Sequence, residues 1–424
     1  MLPDSPAPTS SAPTPRPPLP PRHAAHVRWG WQRITVISLC GVLGLGLIGA
    51  GASALTVVNL LQRVGNNAVD ITPDDDTNDD LGEISGGFNL LVVGVDNTDD
   101  QDTSFGPRDA TLNDVNILLH VNSDHSGATA VSIPRDLIVD HPACTDAAGT
   151  AFAPRTGAPF NVAHGRGGLA CVVATAEKLT GLSIGYAAEV GFEAVIGITD
   201  AIGGVPVCLT KPLRDPAAHV DLPAGIVEIK GADALGFLRS RYGVGDGSDL
   251  SRISSQQQYM SSLMRKVQTD SALTNPFKLL ALADVITSSA RLSTTMARPE
   301  TLVQMANVLR KLDLTSVAFV QFPGTTEDPR YPQKVVPVRA AAERLFADIA
   351  ADRLITPDTS TLGPGAIEVP SDAPSDAATP PAETPVTEAG GETPGAPGDG
   401  GTEPVIQTGV RGITADQETC TVPR

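Results

Sequence analysis

FNLLVVGVDN at Phe88–Asn97, LNDVNILLHVN at Leu112–Asn122 and ATAVSIPRD at Ala128–Asp136 are the stretches on which the fold turns. Each is a run of branched and apolar residues of strand length, with only partial alternation, as in a sheet covered on both faces. Each also stops beside polar groups: Asp96 after the first, Asp114 before the second, Arg135 and Asp136 after the third. Ligands of such sheets collect where strands end. Carboxylates and a guanidinium delivered there suit an oxyanion or metal–phosphate site. The same residues also fit solvated turn charges, and composition does not choose between the two.

Outward from these strands the pattern alternates. Val139–Phe160 reads as an irregular loop, and Asn161–Gly168 as a glycine-rich turn into a helix near Leu169–Leu179. A strand at Tyr186–Val190, a helix at Phe192–Ile202 stopped by Gly203-Gly204, and a strand from Val205 to Cys208 follow. Gly231–Arg239 reads as a short helix and Ser251–Gln268 as a longer one, with Ile253, Met260, Leu263, Met264 and Val267 as its buried stripe. Helices at Phe277–Ser289 and Pro299–Leu312, a strand at Val317–Gln321 and a helix at Ala340–Ala350 complete the body. The expectation is one α/β domain, with a central mixed β-sheet flanked by helices, over residues 88–355.

The ends differ from the body. Residues 1–33 are Pro-rich, too poor in apolar surface to offset chain entropy, and carry four arginines against Asp4. Residues 34–61 hold no formal charge over 28 positions, more than the roughly 20 a membrane-spanning helix needs. Trp29 and Trp31 stand at the entry and the arginines on the same side. A single-pass anchor is therefore expected, with residues 1–33 cytoplasmic and the rest extracytoplasmic. Residues 62–87 form an acidic spacer and 356–410 a Pro/Gly-rich acidic linker. Seven carboxylates in Asp70–Glu83 and nine in Asp358–Val410 account for most of the net charge of −18. Without these flanks the body carries only about −6, and no basic run follows Arg33, which argues against a nucleic-acid partner.

Cys40 falls in the apolar span, leaving Cys144, Cys171, Cys208 and Cys420 for an oxidising compartment. Four cysteines permit three pairings, and spacing does not select one. The absence of a CxxC pair or a His/Cys cluster disfavours zinc.

Eight motifs in order carry a resemblance. They are Gly94-Val95-Asp96, Asn113-Asp114, Ser132-Ile133-Pro134-Arg135-Asp136, Asn161-Val162-Ala163 with Gly167-Gly168, Asp200–Val205, Gly231–Leu235, Arg239-Ser240-Arg241, and Asp249–Arg252 with Gln256-Gln257. Together, from Phe88 to Gln268, they resemble the LytR-CpsA-Psr (LCP) family. The resemblance implies an extracytoplasmic phosphotransferase. It would move a glycopolymer from a polyprenyl-pyrophosphate carrier at the membrane to a peptidoglycan hydroxyl, by phosphodiester formation. It implies Arg135, Arg239, Arg241, Arg252 and Gln256 as pyrophosphate ligands, with Arg135 weighing most on rate. Asp96 and Asp114 are implied as carboxylates for Mg²⁺ (or Mn²⁺), and one of them as base for the acceptor. Asp249 is expected to orient Arg252, and Asp136 to brace Arg135. In the actinobacterial branch, which the acidic flanks and paired cysteines resemble, the pairing implied is Cys144 with Cys171 and Cys208 with Cys420. Residues 411–424 would then be a terminal segment tethered through Cys420.

The chain departs from the family pattern at several points. Asn97–Asn113 is an acidic insertion, and Arg108 is the one arginine placed to replace a family arginine missing before Asp114. Ser255 stands where relatives carry a further arginine. His164 replaces an aromatic and reads as a packed or solvated imidazole, since no Ser or Cys partner forms a triad. A lipid slot, if lined by Leu169, Val172, Val173, Phe192, Val195, Ile196 and Ile198, is indistinguishable by periodicity from closed core. Hydrolysis of prenyl pyrophosphate alone, or a non-catalytic wall-binding role, stands as the alternative function.

Overall fold

In the computed structural model of the chain the described residues are 68–71, 86–96, 111–269, 276–358, 362–369, 405–407 and 409–424. All lie in the unit Val58–Arg424. The expected span 34–61 falls outside them, as do Arg108 and most of the insertion; no helix among the described residues is long and apolar enough to cross a membrane.

Seven strands form the central sheet. They are β1 (Phe88–Val95), β2 (Asn113–Val121), β3 (Ala128–Ser132), β6 (Tyr186–Val190), β9 (Ala290–Leu292), β10 (Val317–Gln321) and β12 (Gly412–Thr414), in the order β9-β6-β1-β2-β3-β10-β12. β1 pairs with β6 and β3 with β10 in parallel, while β1–β2, β2–β3, β6–β9 and β10–β12 are antiparallel. The mixed sheet follows from the connections: a short turn joins β2 to β3 as an antiparallel pair, and the parallel pairs need longer crossovers.

The partial alternation has a specific cause. Leu91, Val93 and Val95 of β1, Leu118 of β2 and Val131 of β3 pack into a closed core beneath helices α1 (His164–Thr180) and α7 (Arg339–Ala350). On the other face, Phe88, Leu90, Ala130 and Phe319 meet α4 (Asp249–Thr269) and α6 (Pro299–Lys311) through Met260, Met264 and Met305. Here Val92, Ile117 and Leu119 are only half-buried, because this face borders a cavity.

Two expectations give way. Val139–Phe160 is not an irregular loop: β4 (Ile138–His141) pairs with β5 (Arg155–Pro159), and a smaller hairpin joins Cys144–Thr145 to Ala151–Phe152. Cys144, bonded to Cys171 of α1, supplies an anchor that local propensity does not reveal. Nor is the 411–424 segment held by its cysteine alone. β12 extends the central sheet beside β10, and β13 (Thr419–Thr421) joins a second sheet, in which it lies between β7 (Val205–Leu209) and β11 (Ala366–Glu368), with β8 (Gly225–Ile229) beyond β7. Cys420 is disulfide-bonded to Cys208 across that strand pair.

The C-terminal segment explains α4. Its stripe Arg252, Gln256, Tyr259, Met260, Leu263, Met264 and Val267 faces the cavity, so of the five residues expected in a buried core stripe only Ile253 packs as fully buried. The opposite, polar face is buried too. Gln258 donates to the carbonyls of Cys208 (2.9 Å) and Thr419 (2.6 Å), Ser261 to Ala415, and Arg265 to Ala415 and Gln417. These three side chains each meet carbonyls of the facing strands and terminal segment, which is what permits a serine- and glutamine-rich helix surface to be covered.

In α1 the chain kinks at Gly167 and Gly168, and Gly168 holds φ 67°. A side chain on Gly167 would strike Cys171 Sγ, so the turn needs glycine for both angle and space.

Two histidines set an acid limit on the fold. Burial holds His141 below the ordinary imidazole pKa, with Arg166 and Arg155 adding to the effect. Burial likewise lowers His120, against the opposing pull of Asp352. Both are depressed in the folded state, so below the unfolded value of about 6.5 the unfolded chain binds the extra protons. Stability should therefore decline as pH falls from 7 to 5, by at most about 1.4 kcal/mol per pH unit per histidine. Urea midpoints at several pH values would measure this, and His141→Gln should flatten the slope.

Candidate active site

The C-terminal ends of β1 and β3 and the start of β2 bring the predicted charges together. Gly94 pairs with Val115 and Val95 with Asn113, so Asp114 is the extra residue of a β-bulge. A bulge re-aims the side chain it carries, and here Asp114 reaches Arg135: Arg135 Nη1 donates to Asp114 Oδ1 at 2.9 Å. Asp136 Oδ2 lies 3.6 Å and Asp249 Oδ1 4.0 Å from Arg135 Nε. Burial works against this guanidinium, but Asp114, Asp249 and Asp136 outweigh it and hold its pKa above the ordinary value. Asp136 is bound more closely by Lys334, at 2.6 Å, so its bracing of Arg135 is secondary.

Helix α4 brings the second arginine. Arg252 Nη2 donates to the carbonyl of Asp114 at 2.9 Å and stands 2.6 Å from Asp249 Oδ1, one helical turn earlier. The latter contact is an ion pair without hydrogen-bond alignment. Both partners are buried, at 6% and 4% exposure. The expected Asp249–Arg252 pairing is thus present, and it supports the bulge as well.

Arg239 ends helix α3 (Gly231–Arg239), with its guanidinium 4.4 Å from the ring centre of Phe192, the first residue of α2 (Phe192–Ile202). Arg241 Nε donates to the Gly247 carbonyl at 3.1 Å. Gln256 spends its amide N–H on the Leu238 carbonyl (3.0 Å), bracing the end of α3.

Arg135, Arg239, Arg241, Arg252, Gln256 and Asp114 all border one cavity of about 630 Å³. Its floor is the sheet, through Val92, Ile117, Leu119, Ala130 and Phe319, and its roof is α2, α3, α4 and α6. From Asp114 to Leu119 it follows five residues of β2, about 17 Å at the strand rise. One end is cationic and the remainder apolar. Among the slot candidates, Phe192, Val195 and Ile198 border it. Leu169, Val172 and Val173 do not: they belong to the closed core on the other face of the sheet. Ile196, half-buried, is not among the bordering residues.

Asp96 lies just beyond Val95, which borders the cavity, and is itself 1% exposed, accepting from the Leu112 N–H at 3.2 Å. Asp96 and Asp114 thus end adjacent strands as hard oxygen donors, Asp114 with a carboxylate that faces the cavity beside the arginines. That donor set fits a hard divalent ion completed by water and phosphate. Among the described residues no group of three or more His, Cys, Asp or Glu forms a metal cluster.

Ser255 is buried against Thr421 of β13 (Oγ to Oγ1, 3.3 Å) and contributes nothing to the cavity. His164 Nε2 is 2.8 Å from Glu189 Oε2, on the other face of the sheet, and is packed as expected. Asn113, placed by sequence in the insertion, begins β2 and ties Asn116 and the His164 N–H.

One residue bordering the cavity escapes sequence reasoning. Asp215, 3% exposed, accepts from Ala217 N–H (3.1 Å), Ser240 Oγ (2.8 Å) and Gly243 N–H (3.1 Å). Ser240 is thereby fixed between Arg239 and Arg241, both of which border the cavity. A lone aspartate in a turn carries no motif; only the register with Ser240 exposes its role. Asp215→Asn should keep the fold yet weaken binding of a pyrophosphate lipid by about tenfold, since one strong acceptor becomes a donor. Titration calorimetry beside a thermal melt reads both.

The LytR_cpsA_psr family model matches residues 55–342. Among curated proteins the chain is 31% identical over 269 residues to a cell wall biosynthesis protein, LcpA, of Corynebacterium glutamicum, covering 57% of this chain and 51% of the relative. It is 28% identical over 241 residues to a Bacillus cereus protein named polyisoprenyl-teichoic acid–peptidoglycan teichoic acid transferase TagU, covering 56% and 72%. The chain spans about half the length of the first relatives it matches. A crystal structure of a Streptococcus agalactiae protein superposes with a TM-score of 0.50 at 18% identity, over 63% of this chain and 88% of that one, and so shares the fold.

Proposed function

Since the chain belongs to the LytR-CpsA-Psr family, we propose that it transfers a glycopolymer from a polyprenyl-pyrophosphate carrier to a peptidoglycan hydroxyl. The observation that carries this reading is the continuity of the cavity, four arginines at one end and an apolar gallery behind them. A diphosphate joined to a long hydrocarbon is the ligand whose two halves match those two environments. The name of the TagU relative points to the same donor and acceptor.

In this reading the acceptor oxygen attacks the phosphorus that carries the sugar, and the bond from that phosphorus to the bridging oxygen breaks. Prenyl monophosphate leaves with the electron pair, and the product is a phosphodiester. Asp114 borders the cavity beside Arg135 and takes the hydroxyl proton. Arg135 and Arg252 are fixed before substrate arrives by Asp114, Asp136 and Asp249, so little reorganisation is needed as charge shifts to the leaving oxygens. Arg239 and Arg241 grip the second phosphate from α3 and its following loop, planar forks suiting phosphate oxygens. Asp96 and Asp114 would hold Mg²⁺ (or Mn²⁺), which when bound offsets repulsion between carboxylates and lipid phosphates. The span 34–61 would anchor the domain outside the cell, with residues 1–33 cytoplasmic.

The test is product identification. Full-length protein with a prenyl-pyrophosphate disaccharide, Mg²⁺ and a peptidoglycan fragment should yield prenyl monophosphate and an acceptor heavier by one disaccharide phosphate. Release of soluble sugar phosphate with the acceptor untouched would replace transfer by hydrolysis.

A further inference from the structure

We propose that the rim of the cavity carries a subsite for an anionic saccharide, formed by Tyr242 and Arg424, that holds the first sugar of the carrier-linked cargo; it rests on the transferase reading above. Tyr242 is 64% exposed, an unusual state for a large aromatic, and it borders the cavity directly after Arg241. The Arg241 guanidinium lies 5.8 Å from the centre of its ring.

This ring stands on a fixed backbone. Gly243 N–H donates to Asp215 from one side, and its carbonyl accepts Arg424 N–H at 2.9 Å from the other. Gly245 N–H donates to the Val422 carbonyl at 2.9 Å, and Val244 bridges to Pro423. The terminal segment therefore runs beside the loop and brings Arg424 against Gly247, whose carbonyl holds Arg241 of the rim.

The placement of Arg424 is specific. Gly247 has φ 80°, and a Cβ there would stand 2.8 Å from Arg424 Nη1, so the guanidinium lies against the bare face of that glycine. The same glycine's carbonyl accepts Arg241 Nε. Two guanidinium groups thus flank Gly247. The carboxylate of Asp246, the residue before Gly247, accepts from Ser248 N–H (2.8 Å) and Ser251 Oγ (2.5 Å) instead. Among the described residues neither Arg241 nor Arg424 has an ion-pair partner.

An exposed ring beside cationic forks suits a sugar that lays its C–H face on the aromatic and presents a phosphate or carboxylate to the guanidinium. In a carrier-linked glycopolymer the first sugar follows the second phosphate, so it emerges where Arg241 ends and Tyr242 begins.

The test compares ligands of the full-length protein in detergent: bare prenyl pyrophosphate, and prenyl pyrophosphate bearing a neutral or a carboxylated disaccharide. Tyr242→Ala should weaken both saccharide-bearing lipids by about tenfold and the bare lipid less than twofold, with Tyr242→Phe close to wild type. Arg424→Gln should weaken the carboxylated lipid several-fold more than the neutral one. Equal loss on all three lipids, or no loss on any, overturns the subsite. Failure of the wild type to bind even the bare lipid overturns the transferase reading and the subsite with it.

Discussion

Arg135→Ala is expected to lower the transfer rate by about 10²–10³-fold, the scale on which preorganised charge stabilisation acts, with the thermal midpoint almost unchanged. The second half of this expectation comes from what is left behind. Asp249 keeps Arg252, Asp136 keeps Lys334, and Asp114 borders the cavity, where water can solvate it. No buried charge is orphaned. Arg135→Lys should recover little, because a single ammonium cannot hold Asp114 and reach two phosphate oxygens together. Single-turnover rates with a prenyl-pyrophosphate disaccharide, alongside a melting curve, decide the matter. Unaltered turnover would remove Arg135 from the chemistry, and a large fall in stability would make it structural.

Arg252→Ala has the opposite signature. Its guanidinium is buried with Asp249 and also ties the carbonyl of the bulge residue Asp114. Its removal leaves a buried carboxylate with only Arg135 within 4.0 Å, a defect that costs about 3–5 kcal/mol. The domain should lose that much in urea denaturation, and transfer should fall through both the lost phosphate ligand and the loosened bulge. In the double variant Asp249→Asn/Arg252→Ala the buried charge is gone, so part of the stability should return while activity stays low. Separate recovery of the two quantities distinguishes folding from phosphate binding. If the double variant is no more stable than Arg252→Ala, the buried-charge account is wrong.

Most helices and the longer strands of the central sheet between Phe88 and Gln321 were legible because each has a period and punctuation of its own; β8 and the edge strand β9 were not. Tyr186–Val190, Phe192–Ile202 and Gly231–Arg239 run between the residues expected, since glycine or a change of period marks each end. The charged end of the cavity was legible for a different reason: strand ends converge, which brings Asp114 and Arg135 together. Three things lay beyond reach. The buried polar face of α4 looks solvated until carbonyls from residues 415–419 are placed on it. The hairpins of 138–159 depend on Cys144 meeting Cys171 rather than on propensity. The apolar stripe of α4 and that of α1 look alike in sequence. One faces a gallery and the other a filled core, because the roof helices stand off one face of the sheet while α1 lies directly upon the other.

Placing β12 and β13 so late in the chain has a consequence for biogenesis. A nascent chain synthesised only as far as residue 404 would already carry β10, yet leave its outer edge without a partner and β7 apart from β11. Open edges of that kind invite pairing between molecules. Truncation within 405–424 should therefore yield aggregation rather than a shortened folded domain, whereas a reporter spliced into 371–400 leaves the sequence of those last strands intact.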